Sequence, residues 1–337
     1  MRRKADTLRF RPVLRLIAKK TLKLTTLLIA VSILAFMLVS YSPIDPVRSY
    51  VGGDMARLSS EQQENIAAYW GLNASGYQQF ISWGKAVLHG NLGTSLVFRQ
   101  PVAEVIVERF SASLVLMGAA WLLSGIIGFL AGLIAGMREG TVLDRLIKGF
   151  CFTMASTPPF WLGLLLLMLF SASLGWFPVG LSSPAGEVAA DVTLAEQLKH
   201  LVLPALTLSI TGMANVALHT RQKLTEVLHS EFIRYARAKG ERGFSLLWRH
   251  GLRNVSLPAI SLHFASFSEL FGGAVLAEQV FAYPGLGQAV VQAGLSSDVP
   301  LLLGIVLFST IFVFVGNTLA DGLYRLVDPR IRKDEAT

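Results

Sequence analysis

Six apolar segments, each long enough to cross a lipid bilayer, constrain the fold of this chain more than any other feature. A hydrocarbon core about 30 Å thick needs about 20 apolar residues in a helix. Of the 337 residues, 53% are hydrophobic and only 15% are charged, whereas a soluble domain carries about 25% charged residues. The sequence therefore predicts an all-α polytopic membrane protein with six transmembrane helices. The predicted spans are approximately 23–41, 112–135, 147–174, 200–219, 258–281 and 299–324.

The positive charges lie mostly on one side of these spans. Residues 1–23 hold nine lysines and arginines, the loop after the second span three, the loop 220–257 eight and the tail after residue 324 four, so 24 of the 30 are on this side. An excess of lysine and arginine marks the cytoplasmic side of a membrane protein. Both termini are therefore predicted to be cytoplasmic. The net charge of +8 is explained by topology, and no nucleic-acid partner is expected.

This topology predicts how the chain is organised. The first span is expected to remain uncleaved, because residues 41–46 contain no small-residue cleavage signal. In the outer extension, a helix capped by Ser59 or Ser60 and a turn at 90–93 are predicted. Pro158 and Pro159 are expected to kink the third span near one end. The predicted regions are a cytoplasmic segment 1–22, a span 23–41, an extracytoplasmic extension 42–111, a five-helix core 112–324 with the cytoplasmic loop 220–257, and a cytoplasmic tail 325–337.

Several classes of chemistry have no motif in this sequence. There is no phosphate-binding G-x-x-x-x-G-K-[ST] loop, no H-E-x-x-H and no G-x-S-x-G. The six histidines show no pair at metal-ligand spacing, and the single cysteine, Cys151, is expected to be a small buried side chain. We therefore expect no catalytic residues, no metal site and no cofactor on this chain. A transporter of this kind uses an ion gradient or the motor of another protein.

The cytoplasmic loop contains a predicted short helix at residues 231–239. Ser230 is placed to cap its start, Glu231 suits its positive end, and Gly240 suits the position just past its end. So short a helix needs support from a partner or from the spans. The same spacing is equally compatible with a solvated basic loop whose charge only sets topology. One face of the predicted helix carries Phe232, Tyr235, Ala236 and Lys239.

Motifs from this loop to the C-terminus resemble those of binding-protein-dependent ABC importer permeases, in particular the dipeptide, oligopeptide and nickel subfamily. The resemblance begins with Arg-Tyr-Ala-Arg-Ala-Lys-Gly at 234–240 and Arg-His-Gly-Leu-Arg-Asn at 249–254. It continues through 272–287 to Asp-Pro-Arg-Ile-Arg at 328–332, and Asp45-Pro46 and 93–95 resemble the outer extension of that subfamily. Where the general importer loop has Glu-Ala-Ala, this chain has Arg234, Tyr235 and Ala236, as the peptide subfamily does.

This resemblance implies a type I ABC importer permease in a bacterial cytoplasmic membrane. The helix 231–239 would be a coupling helix that docks on a separate ATPase subunit. The implied partners are a second homologous permease in a heterodimer, two ABC ATPases that bind ATP and magnesium, an extracytoplasmic solute-binding protein, and the bilayer. The solute could be a dipeptide, an oligopeptide, nickel or a metal chelate. The candidate coupling residues are Glu231, Phe232, Arg234, Tyr235, Ala236, Arg237, Ala238, Lys239 and Gly240.

Polar residues within the spans are further candidates, because an ionisable group at membrane depth is costly to retain. Glu269 is expected to line the solute path or to pair with a partner chain. Glu278 is expected near the outer interface, with Pro284 and Gly285, in a structural or gating role. Asn317 and Asp321 are expected to fix helix packing, as is His263. The alternative to an ABC permease is a self-contained secondary transporter or channel, and a membrane-bound enzyme has no supporting motif.

Overall fold

The computed structural model contains helices joined by turns and loops across the residues it describes, apart from one isolated β-bridge between Thr94 and Pro101. The structure describes residues 2–41, 59, 61–62, 74–183, 192–241 and 243–327. The predicted cap Ser60, the pair Asp45-Pro46 and the tail motif 328–332 lie outside these residues. The helices are α1 (Arg2–Ser40), α2 (Gly76–Leu88), α3 (Val102–Met137), α4 (Val142–Ser156), α5 (Pro159–Leu166, continued by a π-helix Leu167–Ser173), α6 (Leu194–Leu228), α7 (Glu231–Ala238), α8 (Gly243–Leu246, continued by a π-helix Leu247–Gly251), α9 (Leu252–Ala265), α10 (Phe267–Val280), α11 (Leu286–Leu295) and α12 (Val299–Val327).

Four of these helices, α1, α3, α6 and α12, contain stretches long and apolar enough to cross a membrane. Two bent pairs, α4 with α5 and α9 with α10, raise the count to six if each pair is one span. The predicted apolar segments are thus all helical. However, α3 and α6 extend well beyond the predicted 112–135 and 200–219, because helix length is set by caps and not by the apolar stretch alone. Thr193, for example, starts α6 with a capping box completed by Glu196.

The third and fifth predicted spans are broken, not merely kinked. Pro158 and Pro159 separate α4 from α5 with a bend of 107°, and the break lies near the middle of the pair instead of near one end. A proline disfavours helical geometry in the residue before it, and Thr157 is accordingly extended at φ −87°, ψ 127°. The second break, of 50° at Ser266 between α9 and α10, was not predicted, since no proline marks it.

The chain forms two compact units, residues 1–109 with 289–315 and residues 110–288 with 316–337. In the first unit, Phe36 of α1 and Phe80 of α2 have ring centroids 5.1 Å apart. Ser59 shows the predicted capping arrangement, because its hydroxyl oxygen accepts from the backbone N–H of Gln62 at 3.2 Å. The predicted turn at 90–93 is confirmed, because Gly90 and Gly93 have φ of 80° and 87°.

In the second unit, three glycines of α3 bring it close to α6. A Cβ atom on Gly128 would lie 2.7 Å from the Met213 carbonyl oxygen, and one on Gly132 would lie 2.5 Å from the Ala217 carbonyl oxygen. Gly136 meets the Leu224 side chain in the same way. Small residues at every fourth position let helices in a membrane pack backbone to backbone. Cys151 of α4 is buried in a cluster beside Ala217, in agreement with the prediction of a small buried side chain.

Candidate coupling and translocation sites

The predicted coupling helix is α7, and it is anchored from one side only. Ile233 and Ala236 are buried in a cluster with Leu246, against which Val227 and Leu228 pack. Phe232 and Tyr235 point away from this cluster, with 48% and 65% of their surface exposed. The predicted shared face is therefore wrong for Ala236, which turns inward while Phe232 and Tyr235 turn outward.

The two ends of α7 differ in how well the sequence predicted them. Gly240 has φ +95°, its N–H donates to the Arg237 carbonyl and the Glu241 N–H donates to the Ala236 carbonyl at 3.1 Å. This is a Schellman ending, for which glycine is the preferred residue. Ser230 does not cap the start of the helix, because its hydroxyl donates to the Val227 carbonyl at 2.5 Å instead.

Charged side chains cover the exposed face of α7. Glu231 and Arg234 form an ion pair across one turn, and the Lys239 ammonium lies 4.6 Å from the centre of the Tyr235 ring. Arg237 and Ala238 are also exposed. The outward surface thus carries arginines and two large aromatic rings, and these residue types are enriched at protein interfaces.

A buried ion pair that no sequence motif marks lies near the end of α6 from which this loop starts. Asp144 is fully buried and accepts from Arg221 Nε at 2.7 Å and from an Arg221 terminal nitrogen at 2.9 Å. The Gly140 N–H adds a third bond at 3.0 Å, and Lys148 lies 3.5 Å away. We call Asp144, Arg221 and Gly140 the carboxylate clamp.

Glu278, at the end of α10, is also fully buried, so its carboxylate contacts protein and not a solute path. It accepts from the Ser113 hydroxyl at 2.6 Å and from the backbone N–H groups of Gly287 at 2.7 Å and Gln288 at 3.2 Å. The last two are at the positive N-terminal end of α11. A Cβ atom on Gly285 would lie 2.2 Å from the Glu278 carboxyl carbon, so only glycine fits there. We call this arrangement the carboxylate cradle.

The loop between α10 and α11 closes around this cradle. Leu286 donates its backbone N–H to the Ser113 hydroxyl oxygen at 2.7 Å, and Tyr283 donates its backbone N–H to the Glu278 carbonyl at 2.9 Å. Pro284 is half-buried beside them. Burial raises the pKa of the Tyr283 phenol, and the nearby Glu278 carboxylate raises it further. The structure thus brings together three of the four predicted path or gating residues, Glu278, Pro284 and Gly285.

Glu269 lies apart from the cradle and is exposed. It lines a cavity of about 350 Å³ together with Ser124 and Asn215. The other predicted polar residues contact protein. The Ser268 hydroxyl of α10 donates to the Asn317 side chain of α12 at 2.5 Å, and Asp321 is exposed on the next turn.

His263 and Asp298 are two further polar side chains that the fold buries. The His263 ring stacks on Trp121 with centroids 4.5 Å apart, as expected for a packing residue. Asp298, which sequence analysis missed, is fully buried. It accepts from the Ser95 hydroxyl at 2.6 Å and from the Leu301 N–H at 3.2 Å, so it caps the start of α12. Its only signal in the sequence was its position just before an apolar helix.

These features define a helical protein with four to six segments long and apolar enough to cross a membrane and a short helix anchored on a polar loop. The chain belongs to the family described as binding-protein-dependent transport system inner membrane component, whose model matches residues 128–333. It is 34% identical over 316 residues to the oligopeptide transport system permease protein AppB of Bacillus subtilis, covering 94% of this chain and 98% of that protein. It is also 34% identical to the di/tripeptide transport system permease protein DppB of Pseudomonas aeruginosa, covering 95% and 99%.

A solved structure supports the same fold. The MetNI methionine ABC transporter, in an inward-facing crystal form, contains a chain that superposes with a TM-score of 0.53 at 17% identity, covering 67% of this chain and 97% of that one. The expected resemblance to ABC importer permeases is therefore confirmed, both by family and by fold.

Proposed function

We propose that this chain is the permease subunit of an ATP-driven importer that moves peptides inward across a bacterial cytoplasmic membrane. Membership of the permease family supports transport as its activity, and the names of its relatives in Bacillus subtilis and Pseudomonas aeruginosa favour peptides over nickel or metal chelates as the solute. The charge distribution favours six spans with both termini cytoplasmic, and each bent pair then counts as one span. The subunit has no catalytic role of its own.

ATP and magnesium are bound by separate ATPase subunits in this proposal, and α7 is the element that couples to them. The observation that carries it is the outward exposure of Phe232 and Tyr235 on a helix that is fixed from behind by Ile233 and Ala236. Two large exposed rings on an eight-residue helix are costly in water and suit a groove on a partner. Movement of the ATPases would then be transmitted through the anchored side of α7 to the end of α6.

Membership of the family supports the remaining partners of this proposal. They are a second homologous permease that completes the path, two ABC ATPases, and an extracytoplasmic binding protein that delivers peptide to the outer loops. Glu269 is the candidate for the solute path, because it is the predicted candidate that faces a cavity. Glu278, Pro284 and Gly285 then support the outer end of the path, and Asn317 supports helix packing.

The experiment removes the docking rings without disturbing the anchor. The double variant Phe232→Ala, Tyr235→Ala should weaken co-purification of the ATPase subunits by about 30-fold or more, since interface hot spots contribute about 2 kcal/mol or more. Uptake of radiolabelled dialanine should fall in parallel, while the amount of chain in the membrane stays unchanged. Tyr77→Ala is the matched control for co-purification, because Tyr77 is 75% exposed on α2, outside the predicted cytoplasmic loop, and is expected to leave co-purification unchanged.

A substitution on the buried side of α7, which Ile233 and Ala236 form, gives a second result that can be distinguished from the loss of the rings. Ala236→Glu would bury a charge against Leu246 and should detach α7 from its own chain, so that both coupling and thermal stability decrease. The double ring variant should decrease coupling alone. Association with the ATPases that survives removal of both rings would contradict the role of α7. Transport by the purified chain alone under an ion gradient would contradict the importer itself.

A further inference from the structure

The cavity that Glu269 lines is placed where both broken spans are interrupted. Its wall includes Pro159, the first residue of α5 after the 107° break, and Ser266, the residue at the 50° break between α9 and α10. Backbone that leaves helical geometry at membrane depth is tolerated where it is buried in protein or lines a polar cavity. Discontinuous helices are also where transporters place their binding sites. The two breaks therefore mark this cavity as a site.

The hydroxyl groups of the cavity are available to a ligand as hydrogen-bond acceptors. The Ser124 hydroxyl donates to the Trp121 carbonyl at 3.0 Å, and the Ser266 hydroxyl donates to the His263 carbonyl at 2.9 Å. Thr211, on the same wall, donates to carbonyls of its own helix. Because each hydroxyl proton is already used, only the oxygen lone pairs remain for a ligand.

Glu269 adds a carboxylate to this acceptor-rich wall, and an ionised carboxylate can only accept. Glu269 lies in the first turn of α10, where an acidic side chain stabilises the helix. Helix stability alone does not explain why this carboxylate is exposed to a cavity. The remaining polar side chain in the lining is Asn215, which is also exposed. Its amide group can donate as well as accept.

A neighbouring cavity shows that this polarity is local. A space of about 270 Å³ is lined almost entirely by apolar side chains, among them Leu122, Ile126 and Ile260. Val216 lies in the wall of both cavities. The hydroxyl, amide and carboxylate groups are thus concentrated in the cavity at the helix breaks, and not in the apolar cavity on the other side of Val216.

We infer that Glu269 binds a primary ammonium group of the transported solute, and that the amino terminus of a peptide is this group. The identity of the solute rests on the function proposed above, whereas the preference for a cationic donor rests on the cavity. A carboxylate and lone pairs from three hydroxyls complement an ammonium with three N–H donors. They would repel a carboxylate, so a peptide would pass with its amino group, and not its carboxyl group, held at Glu269.

The test measures protection of a cysteine placed in the cavity. Asn215→Cys is introduced in the full-length chain, in membranes from cells that express the whole transport system. The membranes are solubilised in mild detergent and labelled with a neutral maleimide. Because the native Cys151 is buried, labelling of this chain reports position 215. Dialanine and N-acetyl-dialanine are then compared as protecting ligands, since they differ in the ammonium group.

We expect dialanine to protect at a concentration about tenfold lower than N-acetyl-dialanine, as one charge-assisted hydrogen-bonded contact would give. Glu269→Gln should abolish this difference, and Glu269→Asp should keep most of it. Glu104→Gln is the matched control, because it removes an exposed carboxylate from the start of α3, outside the cavity. Unchanged labelling of the Gln variant without ligand shows that its fold is intact.

Equal protection by the two dipeptides, or a preference that survives Glu269→Gln, would overturn the inference. So would loss of co-purification of the second permease in the Gln variant without any change in protection, because Glu269 would then pair with that partner. Failure of the proposed function is a different result. In that case cells show no uptake of dialanine, while the preference for the ammonium group at position 215 remains measurable.

Discussion

The carboxylate clamp and the carboxylate cradle bury the same chemical group by opposite means. Asp144 in the clamp is paired with the Arg221 guanidinium through two bonds of 2.7 and 2.9 Å. Glu278 in the cradle has only neutral donors among its partners in the described part of the chain, the Ser113 hydroxyl and two backbone N–H groups. Both residues are 0% exposed.

The comparison shows that a carboxyl group can be buried with hydrogen bonds to both oxygens from neutral donors alone, without a cation. Backbone N–H groups at the start of a helix can supply those bonds. The two sites should therefore fail for different reasons. The clamp depends on a matched charge, which costs much when it is left alone, whereas the cradle depends on space around Gly285 and on backbone geometry.

The largest effect is expected when the clamp loses its cation. Arg221→Met leaves the buried Asp144 carboxylate with only the partly exposed Lys148 as a cation, and removal of the main partner of a buried ion pair costs about 3–5 kcal/mol. The free energy of unfolding, measured in mixtures of dodecyl maltoside and sodium dodecyl sulfate, should decrease by this amount. Adding Asp144→Asn to the same chain should restore part of the loss, because the buried charge is then gone.

Arg138→Met is the control for this prediction, since Arg138 is exposed in the adjoining loop and should change stability by no more than about 0.5 kcal/mol. A double variant as unstable as Arg221→Met alone would show that the arginine contributes packing and not charge pairing.

The next largest effect is expected when the cradle loses its space. Gly285→Ala would place a methyl group 2.2 Å from the Glu278 carboxyl carbon, and inserting atoms into a packed site costs about 1–3 kcal/mol. Thermal unfolding in detergent should shift downward. Gly272→Ala on α10 is the control, because no atom lies within 4 Å of its added Cβ, and alanine there should be neutral or stabilising. Equal stability of Gly285→Ala and wild type would refute the cradle.

Neutralising each carboxylate gives a smaller effect that separates the two sites. Glu278→Gln keeps one oxygen for the N–H groups of α11, and the Ser113 hydroxyl can turn to accept from the new amide, so the expected cost is about 1 kcal/mol. Asp144→Asn should cost more, because it deprives Arg221 of its charged partner. The same unfolding assay compares them, and a larger loss for Glu278→Gln would reverse the assignment of charged and neutral sites.

Much of the fold could be predicted from the sequence, because hydrophobic length and charge bias act through the bilayer. All six apolar segments are helical, and Gly240 ends α7 as its position indicated. The bend at Ser266 could not be predicted, since neither proline nor glycine occurs there and the break depends on packing. The close packing of α3 on α6 has a signal in the four-residue spacing of Gly128, Gly132 and Gly136, which hydrophobicity alone does not reveal.

The sites were harder to predict because their partners are distant in sequence. Asp144 and Arg221 are 77 residues apart, and nothing in the positive charge pattern distinguishes Arg221 from its neighbours. Ser113 and Glu278 are separated by 165 residues. Ala236 was assigned to the wrong face because it lies at the boundary of two faces, between the exposed Phe232 and the buried Ile233. Glu269 was a candidate from its charge alone, and the cavity around it appears only once α3, α6 and α10 are folded.

The smallest effect dissects the clamp itself. Lys148 lies 3.5 Å from Asp144, and 32% of its side chain is exposed, whereas Arg221 meets both carboxylate oxygens. An ion pair with a partly exposed cation and a single long contact contributes about 0.5 kcal/mol or less. Lys148→Met should therefore lower the free energy of unfolding by no more than this, measured beside Arg221→Met in the same detergent mixtures. If the two variants lose equal stability, the stability of the clamp depends only on the total positive charge near Asp144. The paired geometry that distinguishes the clamp from the cradle would then have no energetic role.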